Sequence, residues 1–308
     1  MAKVTNAFDT YTATADREQL SDIIYNISPM QTPFLSSVGT SNVSNVVFDW
    51  QTESLPTPSS TGQLEGFELS RSASTATVRE SNVCMISSRD ATVTGSQEAS
   101  DAAGKNSEMA HQLALMAKAL KRDMEEALTQ NIAKNAGAAG TVRQTRSLES
   151  WYQTNVNKAS DGANGSASAA RTNGTRRDLT EALLKDVQQQ CFTNGAEPSI
   201  LMCGPYNKSV ISGFTGRSQA RQFVDANTIE ASVSIYSGDF GELQVVPSNR
   251  SREQAVHLLD PEFAGVAYLR NFETIDISTI GDAQTKMIVV EYGLEMKNEA
   301  AHGIIADV

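Results

Sequence analysis

The apolar residues of this chain follow a helical period most clearly between residues 105 and 135. They recur at steps of three and four, which places them on one face of a helix, and the series is Met109, Leu113, Met116, Leu120, Met124, Leu128 and Ile132. The pattern predicts one amphipathic helix about 45 Å long. Asn106 or Ser107 can cap its start and Gly137 can end it. A single apolar stripe of that length needs a broad surface to pack against.

The first 45 residues predict an extended arm that carries two short helices. Apolar residues at helical spacing mark the first helix at residues 16–27, and Pro29 ends it. The second helix begins at Thr32-Pro33 and stops at Gly39. Helices this short bury little apolar surface alone, so we expect the arm to pack on another part of the molecule.

Residues 46–94 predict a long two-stranded ribbon, the extended loop. Val46, Phe48 and Trp50 alternate with Val47, Asp49 and Gln51, which is the period of a strand. Residues 53–74 are then rich in Ser, Thr, Gly and Pro, which predicts a mobile tip, and strand patterns resume after them. An isolated ribbon is marginally stable in water, so we expect this one to lie on another subunit.

The pattern of apolar and polar residues in the remainder of the chain changes at about residue 178. Residues 137–177 are small and polar without a sustained period, which predicts a flexible segment anchored by Trp151 and Tyr152. From residue 178 the pattern is compact α/β. It predicts helices at 178–191 and 206–212, strands at 200–203, 229–236, 243–246, 256–259, 266–269, 272–277 and 287–296, and a terminal strand at 303–308.

The charge distribution is uneven and mostly acidic. The net charge is −11, and the first 104 residues contain 12 acidic and 5 basic residues. This balance argues against a protein that reads DNA sequence, because such proteins need a basic footprint. Residues 137–177 are the exception, with six basic residues (Arg143, Arg146, Lys158, Arg171, Arg176 and Arg177) against two acidic ones.

Signals for export, membrane insertion and metal binding are absent from the sequence. No apolar run has membrane-spanning length, so we expect no membrane association. Three widely spaced cysteines, Cys84, Cys191 and Cys203, predict buried thiols in a reducing compartment. The three histidines are far apart and have no metal-ligand spacing, so we expect no metal and no other cofactor.

The sequence contains few of the residue patterns that are typical of enzymes. It contains neither a glycine-rich dinucleotide motif nor a nucleophile elbow. A hydrolase or transferase that used residues 178–270 would have only Cys203 and His257 as nucleophile and base, and the sequence does not place them together. An arm, a projecting ribbon and a long amphipathic helix instead favour a protein whose function lies in assembly.

Specific residues along nearly the whole chain resemble the major capsid (major head) proteins of tailed bacteriophages. The likeness is carried, in order, by residues 16–29 (DREQLSDIIYNISP), 32–34 (TPF), 50–52 (WQT), 95–98 (GSQE), 121–125 (KRDME), 149–151 (ESW), 204–207 (GPYN), 260–262 (DPE), 268–270 (YLR) and 298–305 (NEAAHGII). The resemblance implies the α+β shell fold (the Johnson fold) shared by tailed phages and herpesviruses. Its expected parts are an N-terminal arm (1–45), an extended loop (46–94), a peripheral domain with the long spine helix (95–177), an axial domain (178–284) and C-terminal strands that return to the peripheral domain (285–308).

The resemblance also implies a function and a set of partners. We expect a non-enzymatic subunit that assembles into hexamers and pentamers and closes an icosahedral capsid around the phage genome. Portal, separate scaffold and decoration proteins are expected partners, with assembly in the bacterial cytoplasm and contact with packaged DNA that ignores its sequence. Some relatives join a loop lysine to a neighbour's asparagine. Residues 46–94 contain no lysine, so we expect no such cross-link.

Ten charged residues are the candidates for contacts between subunits. They are Glu53, Glu65, Glu68 and Arg71 on the extended loop, Arg122 and Glu125 on the polar face of the long helix, and Arg143, Arg146, Arg176 and Arg177 in the basic segment. The basic segment has two open interpretations, contact with an acidic neighbour or DNA, and a solvated insertion. The alternative to a virus shell is a cellular nanocompartment of the same fold.

Overall fold

The computed structural model describes residues 32–56, 58, 60–68, 76–100, 107–214, 234–278 and 281–308. The helix predicted at 16–27, most of the strand predicted at 229–236 and the candidate residue Arg71 lie outside these residues. The described helices are α1 (Pro33–Ser37), α2 (Gly95–Ala99), α3 (Glu108–Thr129), α4 (Leu148–Trp151), α5 (Glu181–Thr193) and α6 (Pro205–Ser212). The described strands are β1 (Gly39–Asn42), β2 (Val47–Thr52), β3 (Val78–Val83), β4 (Met85–Thr94), β5 (Val156–Asn157), β6 (Ile200–Cys203), β7 (Ile235–Gly238), β8 (Gly241–Pro247), β9 (Ala255–Leu259), β10 (Ala264–Ile277), β11 (Ala283–Met296) and β12 (Gly303–Ala306).

The first large sheet has four strands in the order β1-β10-β11-β4. β10 and β11 form a long antiparallel pair, and β4 pairs antiparallel with the other edge of β11. The sequence predicts two strands where β10 is one, and the predicted interruption coincides with register shifts on either side of Arg270. Bulges of this kind bend a strand without ending it.

Helix α3 packs against β4 and β11 of this sheet and against α1, which is the broad partner that its apolar stripe requires. Leu120, Met124 and Leu128 are fully buried. Ser107 caps the start, because its hydroxyl accepts a hydrogen bond from the Ala110 backbone N–H at 3.1 Å. The predicted stripe is confirmed from Met109 to Leu128, and of the two predicted caps Ser107 is the one that the structure shows, whereas Ile132 lies beyond the helix.

The predicted end of this helix at Gly137 is wrong, because α3 stops at Thr129 and is about 33 Å long. Tertiary hydrogen bonds hold the backbone that follows. The Asn131 side-chain amide donates to the Arg171 carbonyl at 2.6 Å, and the Ile132 backbone N–H donates to the Ser147 hydroxyl at 2.6 Å. Such side-chain partners compete with continued helix.

The second large sheet has six strands in the order β5-β12-β9-β6-β8-β7. Helix α5 packs on β12 at Gly303, where any Cβ would lie 2.6 Å from Val187 and 2.9 Å from the Cys191 sulfur. One hydrophobic core joins this sheet to the α3 side, since Met202 and Ile304 are buried in the same cluster as Leu120 and Tyr292.

Three of the predicted ranges each contain a strand that pairs with a different part of the molecule from the one expected. β4 lies within the range predicted for the extended loop, 46–94, but pairs with β11, so the ribbon itself is only β2 and β3. β10 lies within the predicted axial range, 178–284, but belongs to the sheet under α3. β12 lies within the predicted C-terminal range, 285–308, but pairs with β9 in the six-stranded sheet. These pairings join residues far apart in sequence, which local periodicity does not report.

Candidate assembly surfaces

The ribbon formed by β2 and β3 carries exposed apolar side chains at its tip. Leu55 is 93% exposed, Leu64 is 84% exposed and Phe67 is half exposed. Gly66, at φ +76°, forms a turn in which the Phe67 backbone N–H donates to the Leu64 carbonyl at 3.0 Å. Isolated exposed apolar residues are ordinary, but three in one projecting loop indicate a surface that a partner covers.

The predicted loop candidates Glu53, Glu65 and Glu68 are exposed at the same tip. They are neighbours of the three apolar residues in sequence and add negative charge to the same segment. The tip segment, residues 53–68, therefore combines apolar and acidic side chains. That this loop presents charges to a partner stays a prediction, and the three glutamates are exposed as it requires. The three apolar residues are not among the predicted candidates, although they are the only large apolar ones between residues 53 and 68.

The base of the ribbon is fixed to the body by a stack of rings. Phe48 stacks on Trp50 at 5.8 Å between ring centroids, and Trp50 packs on Trp151 at 5.4 Å. The Arg146 guanidinium lies 3.9 Å from the Trp151 ring on the body. Arg146 is buried, and burial lowers its pKa to about 10. Its prediction as a surface contact is therefore wrong, because it stabilises the ribbon base from within.

A fully buried amide completes this attachment. The Asn82 side-chain N–H group donates to the Leu294 carbonyl at 2.6 Å and to the Thr145 hydroxyl at 3.0 Å, and the side-chain oxygen accepts from the Arg146 backbone N–H at 2.9 Å. The ribbon is thereby bonded both to β11 and to the segment after α3. The sequence gives no sign of this role, since Asn82 lies in an ordinary strand pattern.

An open groove with apolar walls lies beside the ribbon base. Ile86 on β4 and Val142 on the loop opposite line it, and Val142 is 74% exposed. Glu291, the partner of Ile86 across the β4–β11 pair, holds two guanidinium groups beside the groove. Arg143 donates to Glu291 at 2.7 Å and Arg270 donates to it at 2.9 Å. Two cations on one carboxylate leave this edge of the groove positive.

The rest of the basic segment is built into the body. Arg171 is buried and bonds Asp307 at 3.0 Å, with Glu149 at 3.8 Å, and Arg252 bonds the same Glu149 at 2.7 Å. Arg177 donates to the Ala306 carbonyl at 3.2 Å. These bonds tie parts of the segment to the body, whereas residues 138–142 and 166–170 are exposed, so the flexible segment and the solvated insertion stay predictions. Of the four candidate arginines of this segment, only Arg176 is exposed.

The two candidates on α3 have different environments. Arg122 is half-buried, so part of it is available at the surface. Glu125 is fully buried, and both of its carboxylate oxygens accept backbone N–H groups of α1. Its prediction as an exposed interface residue is wrong, because α1 covers the part of α3 next to the apolar stripe.

The two residues considered for catalysis do not meet. Cys203 is buried in the core under α5, whereas His257 stacks on Tyr152 at 5.7 Å on the opposite face of the six-stranded sheet. Burial raises the pKa of Cys203 to about 11 and lowers the pKa of His257, helped by Arg171 and Arg252, to about 3. The thiol is thus protonated at neutral pH and faces away from the base.

Two further searches cover the residues that the structure describes. Among them, no group of three His, Cys, Asp or Glu side chains is placed to hold a metal ion. None of the helices formed by these residues is both long and apolar enough to cross a membrane.

Comparison with known proteins identifies the fold. The chain is 23% identical over 337 residues to the major capsid protein of Escherichia phage Phieco32, covering 97% of this chain and 96% of that one. The capsid of a native GTA particle has a TM-score of 0.68 at 13% identity, covering 96% of this chain and 97% of that chain. The capsid of cyanophage A-1(L) has a TM-score of 0.67 at 13% identity, covering 99% of both chains.

The match also reaches the family level. The model of the SU10 major capsid protein family matches residues 3–308. Together with the two-sheet body, the spine-like α3 and the projecting ribbon, this defines a structural role in a self-assembling shell. The chain belongs to the SU10 major capsid protein family.

Proposed function

We propose that this chain forms hexamers and pentamers that close into an icosahedral capsid around a phage genome, without a catalytic role. We place a portal, a separate scaffold protein and decoration proteins among its partners, and its assembly in the bacterial cytoplasm. Contact with packaged DNA ignores its sequence, in keeping with the net charge of −11. The absence of lysine from residues 46–94 leaves the copies without the loop cross-link of some relatives.

The observation that carries this proposal is the contrast between the two ends of the ribbon. Its base is held by Asn82 and by the Trp50–Trp151 stack, while its tip presents Leu55, Leu64 and Phe67 to solvent. A firmly attached projection with an apolar end gains stability when a second copy covers that end. Contacts of this kind repeat around a closed symmetric assembly.

The groove beside Ile86 and Val142 is the surface that we propose for the tip of a second copy. Its walls are apolar, and its Arg143–Glu291–Arg270 edge is positive. The tip is apolar and acidic, so its apolar side chains suit the apolar walls and its negative charge suits the positive edge. Neither surface has an occupant among the described residues of its own chain.

Inter-copy disulfide formation tests this pairing. Leu64→Cys and Val142→Cys are placed on separate copies, which are mixed, assembled and exposed to mild oxidant. The native cysteines Cys84, Cys191 and Cys203 are all buried, so they contribute little background. We expect dimers on a non-reducing gel only when both variants are present and assembled.

The control pair is Leu64→Cys with Tyr206→Cys, because Tyr206 is 64% exposed at the start of α6 but does not line the groove. Equal cross-linking of the control pair, or no cross-linking of the test pair in assembled particles, contradicts the proposed docking.

A nanocompartment shell is the second candidate, because the encapsulin SrpI of Synechococcus elongatus PCC 7942 has a TM-score of 0.55 at 11% identity, covering 96% of this chain and 92% of that chain. This likeness concerns the fold alone. The contents of purified particles separate the two functions, since a capsid holds nucleic acid and a nanocompartment holds protein cargo.

A further inference from the structure

The buried carboxylate of Glu125 holds α1 on the long helix. Its Oε1 accepts the Phe34 backbone N–H at 2.8 Å, and its Oε2 accepts the Leu35 backbone N–H at 2.9 Å. These two N–H groups lie in the first turn of α1, where a helix has no internal acceptor for them. Glu125 itself is 0% exposed.

No cation offsets this charge among the described residues, because none of their ion pairs includes Glu125. Burial raises the pKa of its carboxyl group, and only the two backbone N–H donors oppose that shift. A buried charge is a costly way to add stability. The two hydrogen bonds to Glu125 instead fix the position and direction of α1 on the long helix.

Different contacts hold α1 and the strand that follows it. On the C-terminal side, β1 pairs with β10 from Gly39 to Asn42, which fixes that end of the segment in a sheet. Before that strand, α1 has only five residues, and Phe34 is the one side chain of the helix that is fully buried. Glu125 therefore supplies two tertiary hydrogen bonds next to Thr32, to which the 31 preceding residues are joined.

We propose that Glu125 is a positioning residue for residues 1–31, because it fixes the position and direction of α1, the first described element to which they are covalently joined. The inference rests on the proposed function in one respect, the assembly of copies into a shell, and it adds that residues 1–31 act between those copies. Loss of the carboxylate then weakens assembly while the two-sheet core stays folded.

The first test measures hydrogen exchange in the full chain. In Glu125→Ala we expect the Phe34 and Leu35 amides to exchange at least tenfold faster, while amides of β6 and β9 keep their wild-type rates. Glu126→Ala is the matched control, because Glu126 is the next residue on α3 and is exposed. Unchanged exchange at Phe34 and Leu35 would overturn the proposal.

The second test compares assembly of Glu125→Ala, a chain that lacks residues 1–31, and the two changes combined. If Glu125 acts through residues 1–31, each change lowers particle yield and the combination lowers it no further than the deletion alone. The inference is overturned if the combined variant gives a lower particle yield than the deletion alone. It is also overturned if Glu125→Ala assembles with the wild-type yield.

Two further outcomes remain informative. If Glu125→Ala does not fold, Glu125→Gln replaces it, because glutamine keeps one acceptor oxygen and we expect faster exchange at one of the two amides. If the wild-type chain forms no particles under any condition, the proposed function fails, while the exchange measurement still decides whether Glu125 holds α1.

Discussion

At the scale of single residues, the body relies on polar and ionisable groups that are removed from water. His257 is the clearest example. It is fully buried against Tyr152, and neither ring nitrogen has a hydrogen-bond partner among the described residues. Arg171 and Arg252 lie near enough to oppose a positive charge on its ring. The histidine is therefore neutral in the folded chain.

This environment predicts sensitivity to acid. The pKa of His257 is about 3 in the folded chain, against an ordinary value of 6.5, so the unfolded chain binds a proton first as the pH falls. The free energy of unfolding should drop below pH 6.5, by about 2 kcal/mol at pH 5. Urea unfolding at pH 7, 6 and 5 measures this.

The matched variant is His257→Phe, which keeps a ring against Tyr152 and cannot titrate. We expect it to lose less stability than the wild type between pH 7 and pH 5, while His302, whose pKa burial lowers to about 4, still contributes in both. Identical pH dependence in the two chains would contradict this account of His257.

At the scale of elements, the ribbon depends on its attachment. Asn82 satisfies the Leu294 carbonyl and the Arg146 backbone N–H, both of which are buried. Asn82→Ala leaves them unpaired, and each unpaired buried group costs about 1–3 kcal/mol. We expect a total loss on the order of 3 kcal/mol in chemical unfolding, together with a ribbon that no longer leaves the body in one direction.

The control for this prediction is Asn45→Ala, since Asn45 is exposed and, within the described ranges, its side chain accepts a hydrogen bond only from the next residue, Val46. Its unfolding free energy should stay within about 0.5 kcal/mol of the wild type. A loss for Asn82→Ala no larger than that of the control would show that the ribbon base is held by the aromatic stack alone.

Elements with strong local periods were predictable from the sequence, whereas their partners were not. The stripe on α3 and most strands follow from spacing, and Ser107 was one of the two residues that could cap the helix. Glu125 was misassigned because a helical wheel places it beside the stripe without showing that α1 covers it. Arg146 was misassigned because its burial depends on Trp151 and on the distant ribbon.

At the scale of the whole molecule, the two sheets share a core, while the ribbon projects from it. Sequence order hides this division, because β10 and β12 each pair outside the range in which they were expected. Resemblance to capsid proteins supplied the architecture that periodicity could not, since long-range pairing leaves no local pattern. The surfaces available for assembly are consequently clear only in the folded chain: the ribbon tip, and the groove beside Val142.

A shell built from copies of this chain can be seen by electron microscopy of the purified full chain after size-exclusion chromatography. We expect closed shells, or capsomers with five or six copies, in which the ribbon tip of one copy covers the Ile86–Val142 groove of the next. A single species of 33.1 kDa that forms no higher assembly at any concentration or salt would contradict it.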